Sequence, residues 1–125
     1  MSKTNAPAGY PAVIPYFLVS DGDKFLSFLK TVFEAEEKAV YRDGTGRLMH
    51  GEANIDGSII MFGESNETWA PEVSSVFVYV KDTDVTYKKA MDAGATSRQA
   101  PESKDYGRSA GLRDPFGNTW WITAV

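Results

Sequence analysis

The sequence predicts an α+β fold made of two βαβββ modules, and three observations carry that prediction. The same order of elements, a strand, a helix and three further strands, reads twice along the chain. The segments FLVSDGD and VYVKDTD align at an offset of 61 residues, which pairs Val19 with Val80, Asp21 with Asp82 and Asp23 with Asp84. The later turns align at an offset of 60, pairing Gly57 with Gly117, Ile60 with Trp120 and Met61 with Trp121. Internal repetition marks a duplicated unit. Two such units can pair curved sheets around a shared concavity. Strand alternation then sends one set of side chains to the helices and the other into the hollow.

Each element has its own signal. AVIPYFLVSD is a run of aromatic and β-branched residues that ends in the turn or cap signal Ser20-Asp21-Gly22. In KFLSFLKTVF, Phe25, Phe28, Leu29 and Val32 share one apolar helical face. Asp21 or Asp23 caps or charge-stabilises its start. EKAVYRD reads as a strand and GTG as a turn. RLMHGEANI is the next strand, closed by the hairpin signal Asp56-Gly57 before SIIMF. Residues 64–73 form a polar linker carrying Trp69 and Pro71. VSSVFVYVKDTD restarts the pattern as a strand entering a capped helix, in which Tyr87, Ala90 and Met91 share a face and Gly94 follows the last turn. ATSRQAP, RSAGLRD and NTWWITAV complete the second module. The modules span about 12–63 and 74–125, within one domain preceded by a flexible arm over 1–10.

Composition narrows the function. The chain has 125 residues, a net charge of −4 and a pI near 4.9, and its longest basic run is Lys88-Lys89. That argues against nucleic acid or an anionic membrane surface as partner. There is no cysteine, so disulfides, thiolate metal sites and cysteine nucleophiles are excluded. MSKTNAPAGYP lacks the apolar core of a signal peptide, and no apolar run is long enough to cross a bilayer. A cytoplasmic protein is the expectation.

The strand ending in VSD before an amphipathic helix, the DG hairpin, and above all YGRSAGLRDPFGNTWWI resemble the glyoxalase / bleomycin-resistance / extradiol-dioxygenase (vicinal oxygen chelate) superfamily. The likeness covers about 12–125 and is closest to a bacterial glyoxalase-like subgroup. It implies a homodimer and a cup formed by eight strands. Metal-using members place four ligands in that cup, typically His, Gln or Glu, to activate a carbonyl, enediolate, catechol or oxygen. Carried onto this sequence, the four positions are Ile14, Ser75, Met61 and Trp121. These side chains suit no hard or borderline dication, and the immediate neighbours offer no good ligand either. No metal and no other cofactor is expected.

Parity points Trp121 into the cup between Thr119 and Thr123, and Trp120 and Ile122 toward the helices. It also sends Tyr16, Leu18, Phe77 and Tyr79 inward, giving an aromatic lining of the kind small molecules favour. His50 is the sole histidine and shares a strand face with Glu52 and Asn54, so His50 with Glu52 is the candidate for any proton chemistry. A solvated or merely hydrogen-bonded histidine is the bland alternative. Tyr106 and Arg108 flank Gly107 in what reads as a polar loop; the resemblance puts it near the cup mouth, where Arg108 would meet an anionic group. Trp69 would act as a lid or partner contact. The resulting expectation is a protein that binds a small planar or cationic organic molecule without chemistry, as drug-sequestering antibiotic-resistance proteins of that superfamily do. The alternatives are a divalent-metal lyase, isomerase or dioxygenase using His50 and Glu52, and a non-catalytic dimeric interaction module.

Overall fold

The computed structural model describes residues 4–125. The first module consists of β1 (Tyr16–Val19), α1 (Gly22–Phe33), β2 (Glu36–Arg42), β3 (Leu48–Ile55) and β4 (Ser58–Glu64). The second repeats the order as β5 (Ser75–Tyr79), α2 (Thr83–Asp92), β6 (Thr96–Lys104), β7 (Gly107–Arg113) and β8 (Thr119–Ala124). The strands divide into two four-stranded sheets, β1-β4-β3-β2 and β5-β8-β7-β6. In each, the first strand runs parallel to the last and the other pairings are antiparallel. No helix among the described residues is long and apolar enough to cross a membrane.

The repeated aspartates have repeated work. Asp21 caps α1 by accepting from the Lys24 amide at 3.0 Å, and Asp82 caps α2 by accepting from the Val85 amide at 3.2 Å. Two residues later, in the first turn, Asp23 is held by both terminal nitrogens of Arg42, at 3.0 and 2.7 Å. Asp84 is held in the same two-pronged way by Arg108, at 2.9 and 3.0 Å. Each guanidinium holds its aspartate below the usual carboxylate range, chiefly through these hydrogen bonds. At the DG hairpin, Asp56 and Gly57 both have positive φ, 46° and 93°, the backbone a two-residue turn requires.

One continuous apolar core joins the modules. α1 and α2 each cover one sheet and touch one another. Trp120 stacks on Phe17 with ring centroids 5.4 Å apart and lies 4.7 Å from Phe33. Phe25 meets Phe116 edge-on at 5.5 Å. All of these rings lie on the helix-bearing faces. The opposite faces of the two sheets carry Tyr16, His50 and Met61 in the first module and Ser75, Phe77 and Tyr79 in the second.

Three sequence expectations change. The first strand begins at Tyr16 rather than Ala12, because Pro11 and Pro15 have no amide to donate; the ladder extends one step further only through the Pro15 carbonyl, which accepts from the Met61 amide at 3.0 Å. ESKDYGRSAG is not a loop but most of the β6–β7 hairpin, turning at Asp105-Tyr106. The expected strand ATSRQAP is β6, but it runs on to Lys104; this largely exposed edge strand shows no apolar alternation, so periodicity does not mark its far end. The flexible arm proposed over 1–10 falls partly on residues 1–3, outside the described residues. At its end Tyr10 is anchored, its phenol donating to Glu52 Oε1 at 2.6 Å.

The DPFGN turn is built around Asp114, which is 4% exposed. Its carboxylate accepts from the amides of Phe116 and Asn118 at 2.8 and 2.9 Å, from the Asn118 side chain, and from Trp120 Nε1 at 2.8 Å. Asn118 Oδ1 in turn accepts from the Ser74 amide at 2.9 Å, so the turn fixes where β5 begins beside β8. Buried donors that lose their acceptor cost about 1–3 kcal/mol each. Asp114→Ala should therefore lower unfolding free energy by about 3 kcal/mol or more, and Asp114→Asn by less, as measured by chemical denaturation followed through tryptophan emission.

Candidate functional site

Strand register assembles a polar chain on the open face of the first sheet. Tyr16 lies opposite Met61, Met61 opposite Glu52, and Tyr41 opposite His50. Glu52 is 6% exposed although it faces away from the helix. Its Oε1 accepts from Tyr10, and its Oε2 lies 2.8 Å from His50 Nε2. A carboxylate only accepts, so His50 Nε2 carries the hydrogen. That leaves Nδ1 as the acceptor facing the Tyr16 hydroxyl at 3.3 Å. Burial pushes the Glu52 carboxyl up, but the hydrogen bonds from Tyr10 and His50, helped by the charge of Lys38, outweigh it and hold the group below its ordinary range. Burial holds the Tyr16 phenol above its ordinary range. The two side chains that the sequence singles out for proton chemistry, His50 and Glu52, thus lie within hydrogen-bond distance of each other. Asn54, on the same strand, instead caps the hairpin by accepting from the Gly57 amide at 2.6 Å.

The open face of the second sheet is aromatic. Trp121 faces away from the core, and its indole N–H donates to Ser75 Oγ at 3.2 Å. The ring lies on Gly111, where an added Cβ would come within 2.3 Å of it. The Arg98 guanidinium sits 5.9 Å from the ring centroid and donates to Thr119 Oγ1 at 3.1 Å. Beneath, Thr123 is buried and bonded to Ser109 at 3.0 Å. Phe77 and Tyr79 meet edge-on at 5.1 Å, yet Phe77 is 50% and Tyr79 68% exposed. Tyr16, on the other sheet, is 49% exposed. These rings do not fill one another's space within a chain.

The remaining predicted residues scatter. Leu18 is half-buried along the outer edge of β1, where its carbonyl accepts from the Glu72 amide at 3.3 Å. Trp69 is 62% exposed in the linker, where Asn66 organises a turn beneath it. Tyr106 is 57% exposed at the tip of the β6–β7 hairpin. Arg108 is a correction: it is not at a cup mouth but in β7, on the helix side, committed to Asp84. Ser109, its neighbour, takes the face shared with Thr123, and alternation sends Arg108 the other way. Sequence reasoning missed Tyr10, Lys38, Tyr41 and Arg98, since nothing in their spacing ties them to distant strands.

The four positions that the superfamily resemblance assigns to metal ligands are Ile14, Ser75, Met61 and Trp121, and Ser75 already bonds to Trp121. One hydroxyl and one thioether do not fit a hard or borderline dication. His50 and Glu52 turn their polar atoms toward each other, Tyr10 and Tyr16, so they make a hydrogen-bonded dyad rather than a pair of free ligands.

A sequence model described as the Glyoxalase/Bleomycin resistance protein/Dioxygenase superfamily matches residues 13–122. An uncharacterised Mycobacterium bovis protein is 27% identical over 122 residues, covering 88% of this chain and 80% of its own. Among solved structures, TioX from Micromonospora sp. ML1 superposes with a TM-score of 0.73 at 23% identity, covering 92% of this chain and 96% of that one. A glyoxalase/bleomycin resistance protein/dioxygenase family enzyme from Burkholderia phytofirmans PsJN gives 0.71 at 22% identity, over 88% and 94% of the two chains. At such identities the superpositions speak to the fold.

Two outcomes follow from this geometry. A carboxylate whose folded pKa lies below its unfolded value stabilises the fold above the unfolded value, and that stabilisation is lost as pH falls through the folded one. The gap in denaturation midpoint between the natural protein and Glu52→Gln should accordingly be open at neutral pH and close as pH falls below the ordinary carboxylate range. Gly111→Ala should displace the Trp121 ring, seen as a changed near-ultraviolet circular dichroism signal with the far-ultraviolet spectrum preserved.

Proposed function

The chain belongs to the Glyoxalase/Bleomycin resistance protein/Dioxygenase superfamily, and from that premise we propose that it binds a small planar organic molecule against the open faces of its sheets, without a catalytic metal. The observation that carries this reading is Trp121: a polar-tipped ring on a glycine floor, turned outward where metal-using relatives would place a ligand. Exposed Phe77, Tyr79 and Tyr16 extend the apolar surface. Arg98 shares the Trp121 ring and favours an electron-rich or anionic ring there, whereas Glu52 on the first sheet is where a cationic group would be balanced. A second copy of the chain, facing one module's open sheet with the other's, would supply both in one cup and cover these rings.

The test is fluorescence titration with planar probes, an acridine dye as the cation and an anthracene carboxylate as the anion. Saturable quenching at one probe per chain, weakened about tenfold or more by Trp121→Ala, supports binding at this face. His50→Ala should change affinity by less than about tenfold, the worth of one hydrogen bond. Metal-dependent turnover that disappears in His50→Ala would instead establish the superfamily's lyase, isomerase or dioxygenase chemistry. Sedimentation should return twice the chain mass, and Tyr79→Glu should return the chain mass.

A further inference from the structure

We propose that Tyr10 is the resident occupant of a phenol-binding site on the first sheet, and that a phenolic ligand displaces the N-terminal arm to take its place. Three features outline the site. Glu52 Oε1 accepts the phenol O–H at 2.6 Å, and the carboxylate is buried on a face otherwise open to water. The Lys38 ammonium stands 4.7 Å from the Tyr10 ring centroid, over its face. Lys38 reaches that position because β2 bulges against β3 between Glu37 and Ala39, and a bulge re-aims the side chain it carries. A buried acceptor for the hydroxyl and a cation over the ring face together are recognition elements of an aryl alcohol.

The arm is suited to leave. Tyr10 lies outside every strand, and its amide bonds locally to the Pro7 carbonyl at 3.1 Å. Glu52, by contrast, is fixed within β3 and braced by His50, which Tyr16 holds from the other side. The site therefore survives the departure of its occupant. The hydrogen bond to Glu52 holds the Tyr10 phenol above its ordinary pKa, so the group that must donate its proton keeps it at neutral pH. An intramolecular occupant competes at an effective concentration in the millimolar range, which makes the arm a strap that admits a free phenol only when it binds better or is abundant.

The inference deepens the small-molecule reading and rests on it only in taking the open face as the binding face. The probe is p-cresol, the side chain of tyrosine, followed through the His50 ring proton resonances. Tyr10→Ala should bind p-cresol about tenfold or more tightly than the natural protein. Toluene, which lacks the hydroxyl, should show no such gain, and Glu52→Gln in the Tyr10→Ala background should remove it. Equal p-cresol affinity with and without Tyr10, or toluene binding as well as p-cresol, overturns the proposal. Circular dichroism of Tyr10→Ala keeps the comparison fair, because the residue lies outside the core. Failure here with quenching of Trp121 intact would sink the phenol site alone; failure of both would sink the small-molecule reading as well.

Discussion

Trp120 is the residue on which the arrangement turns. Its ring stacks on Phe17 and approaches Phe33 from the first module, and its N–H is satisfied by Asp114 from the second. A buried indole needs both an apolar bed and an acceptor, and here the two come from different halves of the chain. Because β8 alternates, a locked Trp120 obliges Trp121 to face the other way. The tandem tryptophans are thus one decision: the first joins the modules, and the second is presented to whatever lies outside.

The same alternation explains why so much of the fold was legible in the sequence. Element order, the capping aspartates and the Asp56-Gly57 turn depend on local chemistry, and local chemistry is written in adjacent letters. The offsets that pair Asp21 with Asp82 and Asp23 with Asp84 correspond to two caps and two arginine clasps. The DPFGN motif was readable as a turn, but its burial was not. Only the folded chain shows that its aspartate feeds four donors and that its asparagine holds Ser74.

The site was legible in part. His50 and Glu52 sit two apart on one strand, so their meeting follows from the pleat. Tyr10 comes from 42 positions away and Lys38 through a bulge, and neither signal exists in periodicity. The sequence places Arg108 at a cup mouth because the residues around the β6–β7 turn are polar and exposed and read as a loop, while the partner of the arginine, at the start of α2, lies 24 positions away. Arg98 shows the reverse: an ordinary exposed-strand arginine that the sheet lays across an indole.

The linker between the modules is anchored at both ends, by the Ser65 amide on the Val19 carbonyl and by Ser74 against Asn118 and Thr119, while the halves adhere through stacked rings. Their union is accordingly a matter of adhesive surface more than of tether. Two separately expressed fragments, divided near Trp69, should carry the stacked rings on complementary surfaces and associate through them. A gene duplication that began as two identical subunits would have passed through that state on its way to a single polypeptide.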